Sequence, residues 1–479
     1  MFQFYHSRTS RKSQFISICF KLILIDGEKE LKLHQKLAML YPRAGKSKEL
    51  SLKKDEVFGF MFQYETKERS RARLVVIADD ITGAFDTGVQ LSKRGASVRV
   101  VIGSQLSEEH AITDVLVINA ETRHLTADNA YRETYRIASI VNAWQIPYLY
   151  IKTDSGLRGN IGPAIKAVLD ATHEEFAAFA PAYPDTNRIT RDGCQWADGL
   201  LLQNSVYGID LFEPVRTSRV SDLLTPYGLH VCECKAPCQF SAGTATVAVF
   251  DAECNEDFHC IAQLLKEEGR LRITAGCAAF AAALPSYLGL PDSLTDIPKV
   301  YPPLMIMCGS LNPVTRCQFE YGERRGYKRV ILSRKQLLDE NYLDSEACRI
   351  WLQSLAEVLF SHRTLMLDTG LDMPKDEPED DLEETRVRIS CRLGALLARL
   401  LSMREAKGYT PMIIGGDTLM GFLTQLENPS IKLEGEVSAG VVMFSIVFQG
   451  QPLQMLSKSG GFGSRTLLSD VLCEKVAER

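Results

Sequence analysis

Two carboxylates, Asp79 and Asp80, stand side by side after the apolar run Leu74–Ala78 and before a Thr-Gly turn. Such a run reads as a buried strand of a parallel sheet. Its carboxyl end is the edge where open α/β sheets hold ligands. Paired acids there can grip hydroxyls, accept a proton or hold a metal. The plain alternative is a solvated turn in which one Asp caps the following helix. A second polar cluster, KTDSGLRGN at Lys152–Asn160, follows the apolar run Tyr148–Ile151 and precedes a helix with Pro163 in its first turn. Arg158 offers a planar fork suited to a carboxylate. Lys152 adds a point charge, and Asp154 and Ser155 can bond hydroxyls. With Arg123 and the two Asp, these residues suit a small anion rich in hydroxyls. The alternative is a Lys–Asp and Arg–Asp network that braces the loops. Gly156 and Gly159 favour the pocket, because they let the backbone close on a ligand.

The C-terminal part carries three Gly-rich junctions: CGSLN at Cys308–Asn312, GGDT at Gly415–Thr418 and SKSGGFG at Ser457–Gly463. The first two join a strand to a helix, where free amides and the helix dipole favour phosphate. There is no GxxxxGK[ST] and no GxGxxG followed by a distal acid, which excludes a P-loop and disfavours a dinucleotide site. One region for a polyhydroxy anion and one for phosphates add up to phosphoryl transfer to a hydroxyl, with Mg2+ neutralising charge. Asp417 is a candidate metal or nucleotide contact. Asp79 or Asp80 is the candidate acceptor of the hydroxyl proton.

The elements that must position these residues alternate regularly from Leu74 onward. Val98–Ile102, Val115–Ile118, Ala177–Ala180 and Thr246–Phe250 read as further strands. Thr126 reads as the N-cap of a helix carrying Ala130, Thr134, Ile137, Val141 and Trp144 on one face. Leu288–Pro303 holds four prolines in sixteen residues and reads as a linker. The rhythm resumes with Leu304–Met307, Arg329–Leu332, Leu365–Leu367 and Met412–Ile414. The expected fold is therefore two α/β domains with mostly parallel sheets and a ligand cleft between them, spanning 71–290 and 300–479. A chain of 479 residues needs more than one core. Residues 1–70 lack this alternation and hold 14 Lys and Arg against 8 Asp and Glu, so they are expected to be a poorly ordered extension.

A net charge of −5 argues against a nucleic-acid partner. No apolar run reaches the ~18–20 residues that span a bilayer. The thirteen Cys are irregularly spaced without a CxxC pair, which points to reduced thiols and a cytoplasmic setting. Cys232, Cys234 and Cys238 lack a fourth soft ligand nearby, so no metal site is assigned. Oligomeric state is left open, a homodimer included.

IADDITGA, KTDSGLRGN, PAYPDTNRITRDG, DLFEPVRTSRVSDLL, CGSLNPVTRCQ, GGDT and KSGGFG, in that order, closely resemble the four-carbon acid sugar kinase family. The likeness runs from about Leu74 to Leu468. It implies ATP-dependent phosphorylation of erythronate, threonate or 3-oxo-tetronate at the 4-hydroxyl, with the acid on the N-terminal domain and the nucleotide on the C-terminal one. It implies sugar-acid contacts at Asp79 or Asp80, Arg123, Lys152, Asp154, Ser155 and Arg158. ATP contacts are implied at Ser310, Gly415, Gly416, Asp417, Thr418 and Gly461. D-threonate and D-erythronate come first among substrates, with a lean to threonate from DDITGAFDTGVQ; 3-oxo-tetronate is the alternative. Two positions depart from the family pattern: Gly156 where Thr is usual, and Gln195 where His is usual. If that His were the base in relatives, this chain would need another, or would be a sugar-acid-binding protein without chemistry.

Overall fold

The computed structural model describes residues 71–103, 105–209, 213–235, 246–370, 382–426 and 429–472. The basic extension lies outside them, as do Cys238 and most of the acidic run 372–384.

The first strand, β1 (Leu74–Ala78), pairs in parallel with β3 (Val115–Asn119) on one side and β4 (Tyr148–Lys152) on the other; β2 (Val98–Ile102) extends the sheet beyond β3. Beyond β4 come β11 (Ile273–Gly276), β5 (Ala177–Ala180), β10 (Val247–Phe250) and β9 (Val231–Cys234), all parallel. A small antiparallel sheet, β6 (Arg188–Arg191), β7 (Cys194–Ala197) and β8 (Leu200–Leu201), folds over the loop after β5.

Both faces of β1 are covered, which is why its sequence is continuously apolar rather than alternating. Leu74, Val76 and Ala78 pack against Ile81, Phe85 and Val89 of the helix Ile81–Ser92. Val75 and Ile77 face the opposite layer, where the helices Ala127–Ala143 and Ile161–Thr172 place Ile137, Val141, Ile165 and Val168. Thr126 caps the first of these through its hydroxyl, as its position suggested.

The C-terminal half repeats the principle with β12 (Leu304–Cys308), β13 (Lys328–Ile331), β14 (Thr364–Asp368) and β15 (Thr410–Ile414), in the order β13–β14–β12–β15. Met305 and Met307 meet Leu393 and Leu396 of the helix Leu382–Leu401, while Leu304 and Ile306 meet Phe319 of the helix Pro313–Arg324.

The halves do not have separate sheets. An antiparallel meander, β16 (Ile431–Ser438), β17 (Val441–Phe448) and β18 (Gln451–Lys458), joins them. β18 adds in parallel to β15, and β16 pairs antiparallel with β2, giving one fifteen-stranded sheet. The helix Ile81–Ser92 reaches over this junction, with Phe85 edge-on to Phe444 at 5.1 Å between ring centroids. Among the described residues no helix is long and apolar enough to cross a membrane.

Candidate functional site

Every expected sugar-acid contact in the N-terminal half comes to the carboxyl ends of β1, β3 and β4. Asp79 and Asp80 leave β1, and Arg123 follows β3. The Arg123 guanidinium holds Asp79 in a fork, at 2.8 and 2.9 Å, and reaches Asp80 with its third nitrogen at 2.6 Å. Asp80 also accepts from the Gly83 amide at 2.6 Å and caps the helix Ile81–Ser92. The capping alternative is therefore realised for Asp80. Burial pushes the Asp79 carboxyl above its usual range, with Arg123 opposing.

After β4, the buried Lys152 donates to the Thr153 carbonyl at 2.7 Å. Arg158 binds Asp154 at 2.7 Å. Burial alone would raise the Asp154 carboxyl, but Arg123, Arg158 and Lys152 outweigh it and hold it well below the carboxylate range. The loop-bracing network is thus present. It also forms a cavity wall, because Asp80, Arg123, Lys152, Asp154, Ser155 and Arg158 all line one cleft.

Sequence reasoning missed several groups in that wall. Arg188, from β6, donates to the Ser155 hydroxyl at 3.2 Å. The Tyr207 ring is within cation–π reach of two guanidinium groups, Arg158 at 5.4 Å and Arg188 at 5.3 Å from its centroid. Gly156 makes room for this arrangement: a Cβ there would sit 2.4 Å from the Tyr207 ring. Gln195 does not line the cleft. It is fully buried behind Ser155, donating to the Ser155 carbonyl at 3.0 Å and accepting from Thr190 at 2.7 Å. It is a strut under the loop and supplies no base. Asp86, Tyr183 and Cys277 complete this side. Only their tertiary neighbours bring them to the cleft; nothing in their sequence spacing singled them out.

The C-terminal calls converge as well. Ser310 follows β12, Gly415 follows β15, and Gly460 and Gly461 follow β18; these are three adjacent strands. The Gly415 amide donates to the Lys458 carbonyl at 3.0 Å, and a Cβ on Gly415 would lie 3.7 Å from the Ser310 amide nitrogen. Gly415 has φ +107°, a conformation that side chains resist. Asn312 caps the helix Pro313–Arg324, and Gly416 opens the helix Gly416–Leu423. Two helix N-termini and a glycine turn thus face the same space, an arrangement suited to phosphate. Asp417 pairs with Arg386 at 2.6 Å and keeps an exposed edge. Thr418 is buried, its hydroxyl 2.3 Å from where a Cβ on Gly309 would stand, so its side chain packs behind the turn.

Lys458, at the end of β18, was also missed. It is 1% exposed, and its ammonium donates to the Ser459 carbonyl at 2.9 Å and the Gly460 carbonyl at 3.3 Å. Burial lowers it to about 8. Lys458, Gly416, Ser459 and Phe462 line the same cleft, of 170 Å3, as the Asp80–Arg158 cluster. The cleft therefore lies where the meander joins the two halves. Among the described residues there is no group of three or more metal-ligating side chains. That donor set fits a cation carried in on phosphates better than a resident one, since Mg2+ in such sites takes one or two carboxylates plus phosphate oxygens.

Residues 74–284 match a sugar-binding N-terminal domain family, and residues 305–468 match a nucleotide-binding C-terminal domain family. Over 417 residues the chain is 32% identical to a 3-oxo-tetronate kinase of Actinobacillus succinogenes, covering 81% of this chain and 96% of that one. It is 28% identical over 426 residues to a D-threonate kinase of Salmonella typhimurium, covering 84% and 97%. A D-erythronate kinase of Heliobacterium modesticaldum is 29% identical over 398 residues, covering 76% and 88%. The fold is shared with a Salmonella typhimurium protein of known structure, at a TM-score of 0.67 and 20% identity over 83% of this chain and 98% of that one.

Proposed function

The chain belongs to the four-carbon acid sugar kinase family and is an ATP-dependent kinase of such an acid, and we propose that it phosphorylates D-threonate at the 4-hydroxyl, with D-erythronate next in order. The observation that carries this reading is the shared cleft, cationic and hydroxyl-bonding on one wall, amide-rich with a single buried lysine on the other. Arg158 and Arg188, both over the Tyr207 ring, are assigned the substrate carboxylate. Lys152, Asp154 and Ser155 are assigned its hydroxyls. Arg123 and Asp79 hold this wall in place. At the strand ends on the opposite side, where Gly416 and Lys458 line the cleft, Ser310, Gly415, Gly416 and Gly461 are assigned the ATP phosphates, with Lys458 neutralising their charge, Mg2+ entering with the nucleotide and Asp417 at its side. In such a transfer positioning and charge neutralisation supply most of the rate.

The D-threonate kinase names of two relatives, at 28% and 26% identity, support the choice of acid. The 3-oxo-tetronate kinase at 32% identity supports a second reading with that acceptor. ADP release with ATP and each of D-threonate, D-erythronate and 3-oxo-tetronate decides between them by kcat/KM. Turnover of none, with retained binding of an acid, would instead leave a sugar-acid-binding protein.

A further inference from the structure

The acceptor hydroxyl must lose its proton, and the two acids that stand out in sequence are poorly placed to take it. Both Asp79 oxygens are occupied by Arg123, and the Asp80 oxygens by Arg123 and the Gly83 amide. Asp154 is bound to Arg158 and held far below neutrality. Each could accept a proton only by surrendering an ion pair.

Asp86 differs from all three. It lies on the helix Ile81–Ser92, one turn after Thr82, and lines the cleft beside Thr82 and Val89. It accepts no hydrogen bond and makes no ion pair with any described residue, although it is partly buried. A carboxyl group withdrawn from water without a partner is costly, and such groups call for an explanation in function. Its charged surroundings come from both halves: Lys152, Arg188 and Asp80 on the sugar-acid side, Glu436 of β16 on the other. Tyr183 and Cys277 also face it. It therefore stands between the cationic wall and the glycine turns.

Resting on the kinase reading above, we propose that Asp86 is the catalytic base. Its carboxylate accepts the proton of the 4-hydroxyl as that oxygen bonds to the γ-phosphorus of ATP. The bond from the γ-phosphorus to the β,γ-bridging oxygen breaks, ADP leaves, and the proton passes from Asp86 to water after product release. Burial raises this carboxyl to about 6, with Glu436 and Asp80 adding to the rise and Lys152 and Arg188 opposing it. A base so tuned is ionised at neutral pH yet basic enough to be useful.

The test uses the full chain with ATP, Mg2+ and the best acid found in the panel above. In the wild-type enzyme kcat should fall on the acid side with an apparent pKa near 6. Asp86→Asn should lower kcat by about 10²–10⁴-fold, leave KM for acid and ATP within a few-fold, and abolish the acid limb. Asp86→Glu should recover part of kcat and displace the limb. Thermal melting checks the fold, which should not weaken, because no contact is lost. An Asp86→Asn enzyme with kcat within five-fold of wild type, or one that keeps the acid limb, overturns the proposal. So does a loss confined to KM, which would make Asp86 a binding group. A wild-type enzyme inactive on every acid tested overturns the kinase reading itself, before any variant is made.

Discussion

The two walls of the cleft solve different problems with different materials. On the sugar-acid wall the chemistry is in side chains, and five of its charges form one matched set: Arg123 to Asp79 and Asp80, and Arg158 to Asp154. On the nucleotide side it is in the backbone: Gly416 lines the cleft, Ser310, Gly415, Gly460 and Gly461 follow the three adjacent strands, and Lys458 is bonded only to carbonyls and a hydroxyl. A matched network is rigid and discriminates between hydroxyl arrangements, but removing one member strands the others. A backbone cradle recognises phosphate through geometry and fails when a side chain fills it. The walls should therefore respond differently to substitution.

The largest effect is expected at Arg123. Replacing it with Ala leaves Asp79 and Asp80 buried without their cation, which costs about 3–5 kcal/mol of stability. The sign with pH follows from Asp79, whose carboxyl is raised by burial even with Arg123 present. A raised acid destabilises its ionised form in the fold, so its stability contribution is lost as pH rises past the unfolded value. The gap between Arg123→Ala and wild type should thus be wide at pH 7 and narrow at pH 4. Asp79→Asn added to Arg123→Met should recover much of the loss. Urea unfolding at the two pH values measures both. An equal gap at both would mean that the acids do not depend on Arg123.

Lys458 gives the converse on the opposite wall. Its ammonium is disfavoured by burial and lost above about 8 in the folded chain, against the ordinary lysine value of 10.5. The unfolded chain then binds more protons between those values, so this group makes stability rise with pH across that window. ATP affinity should move the other way, weakening above pH 8 as the positive charge is lost. Lys458→Met should raise KM for ATP by about ten- to a hundredfold, in line with ~1.5–3 kcal/mol for a charge-assisted contact, and flatten that pH dependence. Its Tm at pH 7 should not fall. A matching rise in KM for the sugar acid would mean that the walls are not separable.

The parallel strands were legible because burial on both faces writes continuous apolar runs, and the Thr126 cap because its side chain acts locally. The candidate residues were legible because they sit at the ends of those strands. What sequence could not supply were the pairings between distant segments. The meander β16–β18 was not anticipated as the bridge, since its contact with β2 depends on tertiary register. Asp86 looked like an ordinary polar position on an amphipathic helix; only tertiary packing, with β16 on one side and Lys152, Tyr183 and Cys277 on the other, takes it out of bulk water. Gln195 looked like a lost catalytic position and is a buried strut. Gly156 looked like a departure in substrate recognition, and its local reason is the Tyr207 ring. The two separate sheets implied by a prolyl linker became one sheet for the same reason as the meander.

The smallest effect, and the most selective, is expected at the glycine turns. Gly416 is a natural choice for blocking phosphate, but a Cβ there would lie 2.4 Å from the Thr82 hydroxyl, on the helix that also carries Asp86. Gly416→Val would therefore push the two halves apart and should weaken both ligands, with an overpacking cost of about 1–3 kcal/mol. Gly461 has more room. A Cβ would meet only Asn312, at 3.4 Å, and the backbone there is not in the left-handed region. Gly461→Val should therefore fold normally, with a Tm within a degree or two of wild type. Its branched side chain would occupy the space assigned above to the phosphates, so on that assignment ATP affinity should fall by about three- to tenfold. Sugar-acid affinity should be unchanged, because that wall contributes no atom near Gly461. Calorimetric titration of both variants with each ligand makes the comparison. If Gly461→Val loses the acid and keeps ATP, the walls have been assigned in reverse. If Gly416→Val loses only ATP, the Thr82 contact does not couple the halves.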